Sequence, residues 1–198
     1  MRDKQRAETR RRLYHAALEV FARDGVDNCR IEDIALKADV SRAAFYFHFP
    51  TKDDVLLELL AEAEQPLAET LATMADTASL QEFFDVFIEY LVGFWGQGLR
   101  KSLLIDVFAT QLRRIHHFAG DHRAEVVREA VSVRLRHAHR RGEVSPVFPP
   151  ELLADFFLLN CMAALASWCA QPTLPLKETL QGVVFLFMQG AKAPAEPP

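Results

Sequence analysis

The chain has 198 residues, half of them apolar, which is enough for a sizeable core in one large or two small domains. Its net charge of -4 looks unsuited to a polyanion until it is divided along the chain. Residues 1–52 carry 11 Lys/Arg against 8 Asp/Glu and the remainder 12 against 19, a basic head on an acidic body, as expected where one end meets phosphate. Three cysteines, Cys29, Cys161 and Cys169, are an odd set. Cys161 and Cys169 stand about 12 Å apart along one helix, too far to bridge, which argues against a disulfide framework and for a reducing cytoplasm. The charged residues 1–12 lack the apolar stretch of a signal peptide. Residues 152–170 approach membrane length, but Asp155 and Asn160 within them favour a buried interface helix and no membrane partner.

Strict alternation is absent and apolar residues recur at helical spacings, so an all-α chain is expected. The first helix is read over residues 9–24, with Leu13, Ala17, Val20 and Phe21 on one face and Gly25 as its stop. A short second helix, 31–38, turns inward Ile31, Ile34, Ala35 and Ala38. Asp39 and Val40 make a tight turn, and Ser41 caps a third helix, 41–48, which Pro50 ends. Thr51 caps a fourth helix with Asp53 and Asp54 in its first turn, and Pro66 within it predicts a kink or break. Ser79 with Glu82 is a capping box for a fifth helix, which fades at Gly93, Gly96 and Gly98. Further helices are expected at 99–118, 121–141, 150–170 and 176–189, with a Pro-rich disordered tail at 193–198.

Residues 31–49 have the pattern of a helix-turn-helix, whose second helix enters the major groove. The string that follows the turn, Val40-Ser41-Arg42-Ala43-Ala44-Phe45-Tyr46-Phe47-His48-Phe49-Pro50-Thr51-Lys52, resembles the signature of the TetR family of transcriptional regulators. That signature reads roughly Gly-Val-Ser-x-Gly-Thr-Leu-Tyr-x-His/Tyr-Phe-x-Ser/Thr-Lys. Val40, Ser41, Tyr46, His48, Phe49, Thr51 and Lys52 stand where the family places them, and the match runs over about residues 9–60. Three departures are Asp39 for the turn glycine, Ala43-Ala44 for Gly-Thr, and Arg30 near the family's Thr cap.

The candidate DNA-binding residues are Arg10, Arg30, Ser41, Arg42, Ala43, Tyr46, His48 and Lys52. Tyr46 and His48 can donate to phosphate oxygens, and Lys52 lies in a helix first turn, where the dipole adds to its attraction for phosphate. Arg42 can pair with guanine O6 and N7 or clamp a phosphate. The basic run Arg10-Arg11-Arg12, with Arg2, Lys4 and Arg6, reads either as an arm folded onto the DNA backbone or minor groove or as a solvated terminus.

The resemblance implies a domain division of 1–52 (DNA-binding) and 53–192 (effector-binding and dimerising). It also implies a C-terminal helical bundle of about six helices, a small-molecule effector and a homodimer through the last two helices. Those helices are apolar along Leu152, Phe156, Leu159 and Ala163 and nearly all round at residues 183–188, so they need partners on every face. Phe83, Phe87, Tyr90 and Phe94 form one aromatic face, either plain core or the wall of a lipophilic pocket. Asn160 is taken as a buried amide orienting the ligand, giving the effector set Phe87, Tyr90, Phe94, Phe108, Asn160 and Trp168. Residues 45–50 with Asn160 also resemble the branch containing the repressor of a mycobacterial ethionamide-activating monooxygenase.

His116, His117, His122, His137 and His139 lack ligand spacing, Glu125 and Glu129 read as a solvated pair, and no catalytic or cofactor motif is present. The expected function is a repressor released from its operator by a small lipophilic effector. The alternative is a non-enzymatic protein-interaction module with a degenerate DNA head, suggested by the missing Thr at position 44 and the acidic total.

Overall fold

The computed structural model describes residues 2–96, 98–114 and 126–191. Among them the chain forms α1 (Arg2–Asp24), α2 (Ile31–Lys37), α3 (Arg42–His48), α4 (Lys52–Ala72), α5 (Leu80–Trp95), α6 (Gly98–Arg114), α7 (Val126–Arg140), α8 (Pro150–Ala170) and α9 (Leu176–Ala191).

Local chemistry starts and stops these helices largely where the sequence says. Gly25, at φ 81°, ends α1 in the left-handed region that a side chain resists. Ser41 Oγ accepts from the Ala44 amide at 3.1 Å to open α3. Asp54 and Thr51 cap each other reciprocally, the Thr51 amide donating to Asp54 at 2.8 Å. The Ser79–Glu82 capping box forms, with the Ser79 amide donating to Glu82 Oε2 at 2.8 Å.

Two local expectations fail. α1 starts at Arg2, not at residue 9, because Lys4, Gln5, Arg6, Ala7 and Glu8 are all helix formers and Glu8 pairs with Arg11 at 2.9 Å. The arginine run is therefore the middle of a helix and not an arm. α4 runs through Pro66 unbroken, forgoing the one hydrogen bond proline cannot make.

Two compact units result: residues 1–60 with 97–115, and residues 61–96 with 116–198. The expected boundary at 52/53 followed the motif alone. The observed first unit also takes in the first turns of α4 and the whole of α6, which packs on α1. In this unit Leu13, Ala17, Ile34, Phe45, Phe49, Val55 and Leu56 are fully buried, joining α1 to α4 in one small core.

In the second unit α8 packs along α7 and α9, and α5 lies against α9 and α7. Phe157 is its centre, with ring centroids 4.4 Å from Phe84, 5.2 Å from Phe87 and 5.2 Å from Phe187. Arg134, almost wholly buried, reaches from α7 to donate to the carbonyls of Ala75 and Ala78 at 3.1 and 3.0 Å, tying down the α4–α5 turn. α8 is long and apolar enough by composition to cross a membrane. Here one face of it is core, while Leu152, Phe156, Leu159 and Asn160 form an exposed stripe. The tail at 193–198 lies outside the described residues.

Candidate functional site

The α2–turn–α3 unit is set by backbone chemistry. At the end of α2 the Val40 amide donates to the Ala35 carbonyl at 3.0 Å and the Asp39 amide to Leu36 at 3.1 Å, a Schellman closure. That closure requires a left-handed residue, and Asp39 supplies it at φ 52° in place of glycine. Phe45 and Phe49 then anchor the inner side of α3, both 0% exposed, with ring centroids 5.9 Å apart. The opposite side presents Arg42, Ala43, Tyr46 and Phe47 to solvent.

Within this unit the expected DNA-binding residues divide in two. Ser41, Arg42, Ala43 and Tyr46 are exposed on or beside the outer face of α3, as a groove-reading helix needs. Arg42 is poised by an ion pair to Glu32 at 2.9 Å and by the Tyr46 hydroxyl at 3.5 Å. Arg30 precedes α2, exposed and making no capping hydrogen bond. His48 is half-buried, and burial, then Arg10 and Arg6, push its pKa below the ordinary value. At neutral pH it is therefore a neutral ring, able to donate one N–H but offering no charge to phosphate.

Lys52 and Arg10 depart from expectation. Lys52 Nζ donates to the carbonyls of Val26, Asp27 and Cys29, the latter two at 3.2 Å, so its three protons close the α1–α2 turn. Arg10 donates to the His48 carbonyl and the Glu58 carboxylate, and its guanidinium lies 4.2 Å from the Phe49 ring centroid. Both cations fasten the head together. Arg12 does the same at the turn, donating to the carbonyls of Ala38 and Asp39. Sequence reading missed Phe47, 66% exposed on α3, with the Arg6 guanidinium 5.0 Å from its ring centroid. A signal was available: Phe45 and Phe49 occupy the inner face, which leaves position 47 outside.

Residues 13–59 match the family described as bacterial regulatory proteins, tetR family. The head of the chain therefore carries a TetR-family N-terminal domain. Over the head it is 48% identical to the regulator SrpR of Pseudomonas putida across 60 residues, 30% of this chain and 28% of SrpR. The aligned stretch thus spans less than a third of that relative. The repressor BepR of Brucella suis is 25% identical over 201 residues, covering 97% of this chain and 96% of BepR. Among solved structures, FadR of Thermus thermophilus, in complex with lauroyl-CoA, shares the fold. It has a TM-score of 0.63 and 24% identity, over 96% of this chain and all of that one.

The expected effector residues are divided between the two units. Phe87 is core, closed against Phe157. Phe108 is buried within the first unit, while the other five belong to the second. Tyr90 and Phe94 are half-buried and stack at 6.2 Å with rings 10° from parallel, and Trp168 is buried. Asn160 is the clearest correction. It is exposed, and its amide donates to the Phe156 carbonyl of its own helix at 2.7 Å. The expected buried polar handle is therefore absent at this position.

A cleft of about 570 Å³ lies elsewhere in the second unit, between α4, the start of α5 and α7. Leu71, Met74, Phe83 and Val133 give it apolar walls, with His137 and Glu129 at its edge. Glu64, on α4, is a carboxyl that burial pushes up to about 8, so it is protonated at neutral pH. Among the described residues no three His, Cys, Asp or Glu gather as metal ligands; His116, His117, His122 and Glu125 lie outside them.

Proposed function

We propose that this TetR-family chain is a cytoplasmic, ligand-responsive repressor that grips a pseudo-palindromic operator as a twofold dimer. The observation that carries the reading is the outer face of α3. A helix with Arg42, Ala43 and Tyr46 exposed, anchored by Phe45 and Phe49 and closed by the Asp39 turn, has the form of a major-groove reader. The dimer is supported by the apolar surface of the last two helices, where Phe185 and Leu186 are 62% and 71% exposed beside the stripe Leu152, Phe156 and Leu159.

A lipophilic effector is supported by the apolar cleft against α7 and by the acyl-CoA complex of the Thermus relative. Release then follows from the effector's preference for one of two states of the dimer. Selection of duplexes from a random pool, followed by anisotropy titration at two salt concentrations, tests the reading. A selected duplex bound with a steep salt slope supports it, and a failure to enrich any sequence overturns it.

A further inference from the structure

Phe47 has no structural duty that accounts for its position. Phe45 and Phe49 fill the inner side of α3 completely, and Phe47 leaves two-thirds of its surface in water on the other side. A phenyl ring left largely in water forgoes most of the stabilisation that burial would bring. It makes a T-shaped contact with the His48 ring at 5.1 Å, has the Arg6 guanidinium over its face, and borders a shallow depression with Asp3 and Thr9 of α1. These hold the ring in one orientation without covering it. Ala43, one turn earlier on the same face, is exposed too, so a methyl and a phenyl ring form an apolar strip, with Arg6 over the ring and Arg42 held beside it by Tyr46 and Glu32.

We propose that Phe47, assisted by Ala43, reads thymine C5-methyl groups in the major groove; this rests on the DNA-binding reading above. Neither side chain has a donor or acceptor, so neither can read the hydrogen-bonding edges of guanine, adenine or cytosine. The one apolar group that the major groove displays is the thymine methyl. The nearby cations, Arg42 and Arg6, suit the phosphates that border a groove. Phe47 is therefore a specificity-determining residue, preferring A·T pairs at one or two positions in each half-site.

The test uses the duplex that the wild-type chain selects from a random pool, with each half-site thymine replaced in turn by uracil, which removes only the methyl. Wild type is expected to lose about fourfold in affinity per methyl read, the worth of one buried carbon. Phe47→Ala should bind the thymine and uracil duplexes alike, and Phe47→Leu should recover part of the difference. Because Phe47 lies outside the core, the unfolding transition of both variants should match wild type. Equal wild-type affinity for thymine and uracil duplexes overturns the inference, as does Phe47→Ala that still discriminates. A pool from which no duplex is selected overturns the DNA-binding reading instead, so the two failures are distinct.

Discussion

The two units treat charge and apolar surface in opposite ways. In the head, long cations that the sequence presents as a phosphate-binding set are turned inward onto backbone carbonyls: Lys52 on Val26, Asp27 and Cys29, Arg10 on His48, Arg12 on Ala38. What remains outside on α3 is a short, mixed face of Arg42, Ala43, Tyr46 and Phe47. In the second unit the apolar residues are the ones left outside, with Phe156, Leu159, Phe185 and Leu186 exposed while Phe157 and Phe84 are closed over. A residue's type states what chemistry it can do; its partners decide whether that chemistry is spent on the fold or kept for a ligand.

The contrast is broken most easily at the second unit's apolar surface. Replacing Phe185 and Leu186 together by Glu is expected to convert the proposed dimer to monomer in sedimentation and to cut operator affinity at least about 100-fold, since one half-site grip is lost. A variant that remains dimeric would remove α9 from the interface.

Glu64 supplies the next largest effect. With its pKa raised to about 8, the folded chain holds a proton that the unfolded chain, near 4.5, has released. Stability from this group is thus complete below about 4.5 and falls as pH rises to about 8, with a slope of at most about 1.4 kcal/mol per pH unit. Denaturation of Glu64→Gln across that window should show a flatter profile than wild type. An identical slope would mean that the carboxyl is not buried in the folded protein.

Lys52→Ala sharpens the head's side of the comparison. It leaves three backbone carbonyls without their donor and is expected to cost about 2 kcal/mol in denaturant unfolding, with the salt slope of DNA binding unchanged. A stable variant with a shallower salt slope would return Lys52 to the phosphate contacts. Tyr46→Phe is the mildest change. It should weaken binding to all duplexes by a few-fold, about 1 kcal/mol, and leave the unfolding midpoint where it was. A shifted midpoint would give the hydroxyl a role in the fold.

The legible parts share a physical property: their causes lie within a few residues. The Ser41 cap, the Ser79–Glu82 box, the Gly25 stop and the Asp39 turn each satisfy backbone groups three to five residues away, so residue order alone specifies them. The motif from Val40 to Lys52 was readable for the same reason, and it identified the head. Asn160 and Phe47 were misjudged because helical periodicity tells which residues share a face but not which face is covered. Phe84 and Phe87 of α5 and Phe187 of α9 cover the Phe157 side of α8, which leaves Asn160 outside.

By itself, then, the sequence determined the helices and the helix-turn-helix head with its TetR-family motif, because capping, turn chemistry and apolar spacing act locally. Only the tertiary structure decided which cations are spent, which aromatics are core and where a cleft opens. Lys52 meets its acceptors 23 to 26 residues away, and Arg10 meets Glu58 48 residues away. Pairings at that range are chosen by the packing of the whole head, and no local pattern encodes them.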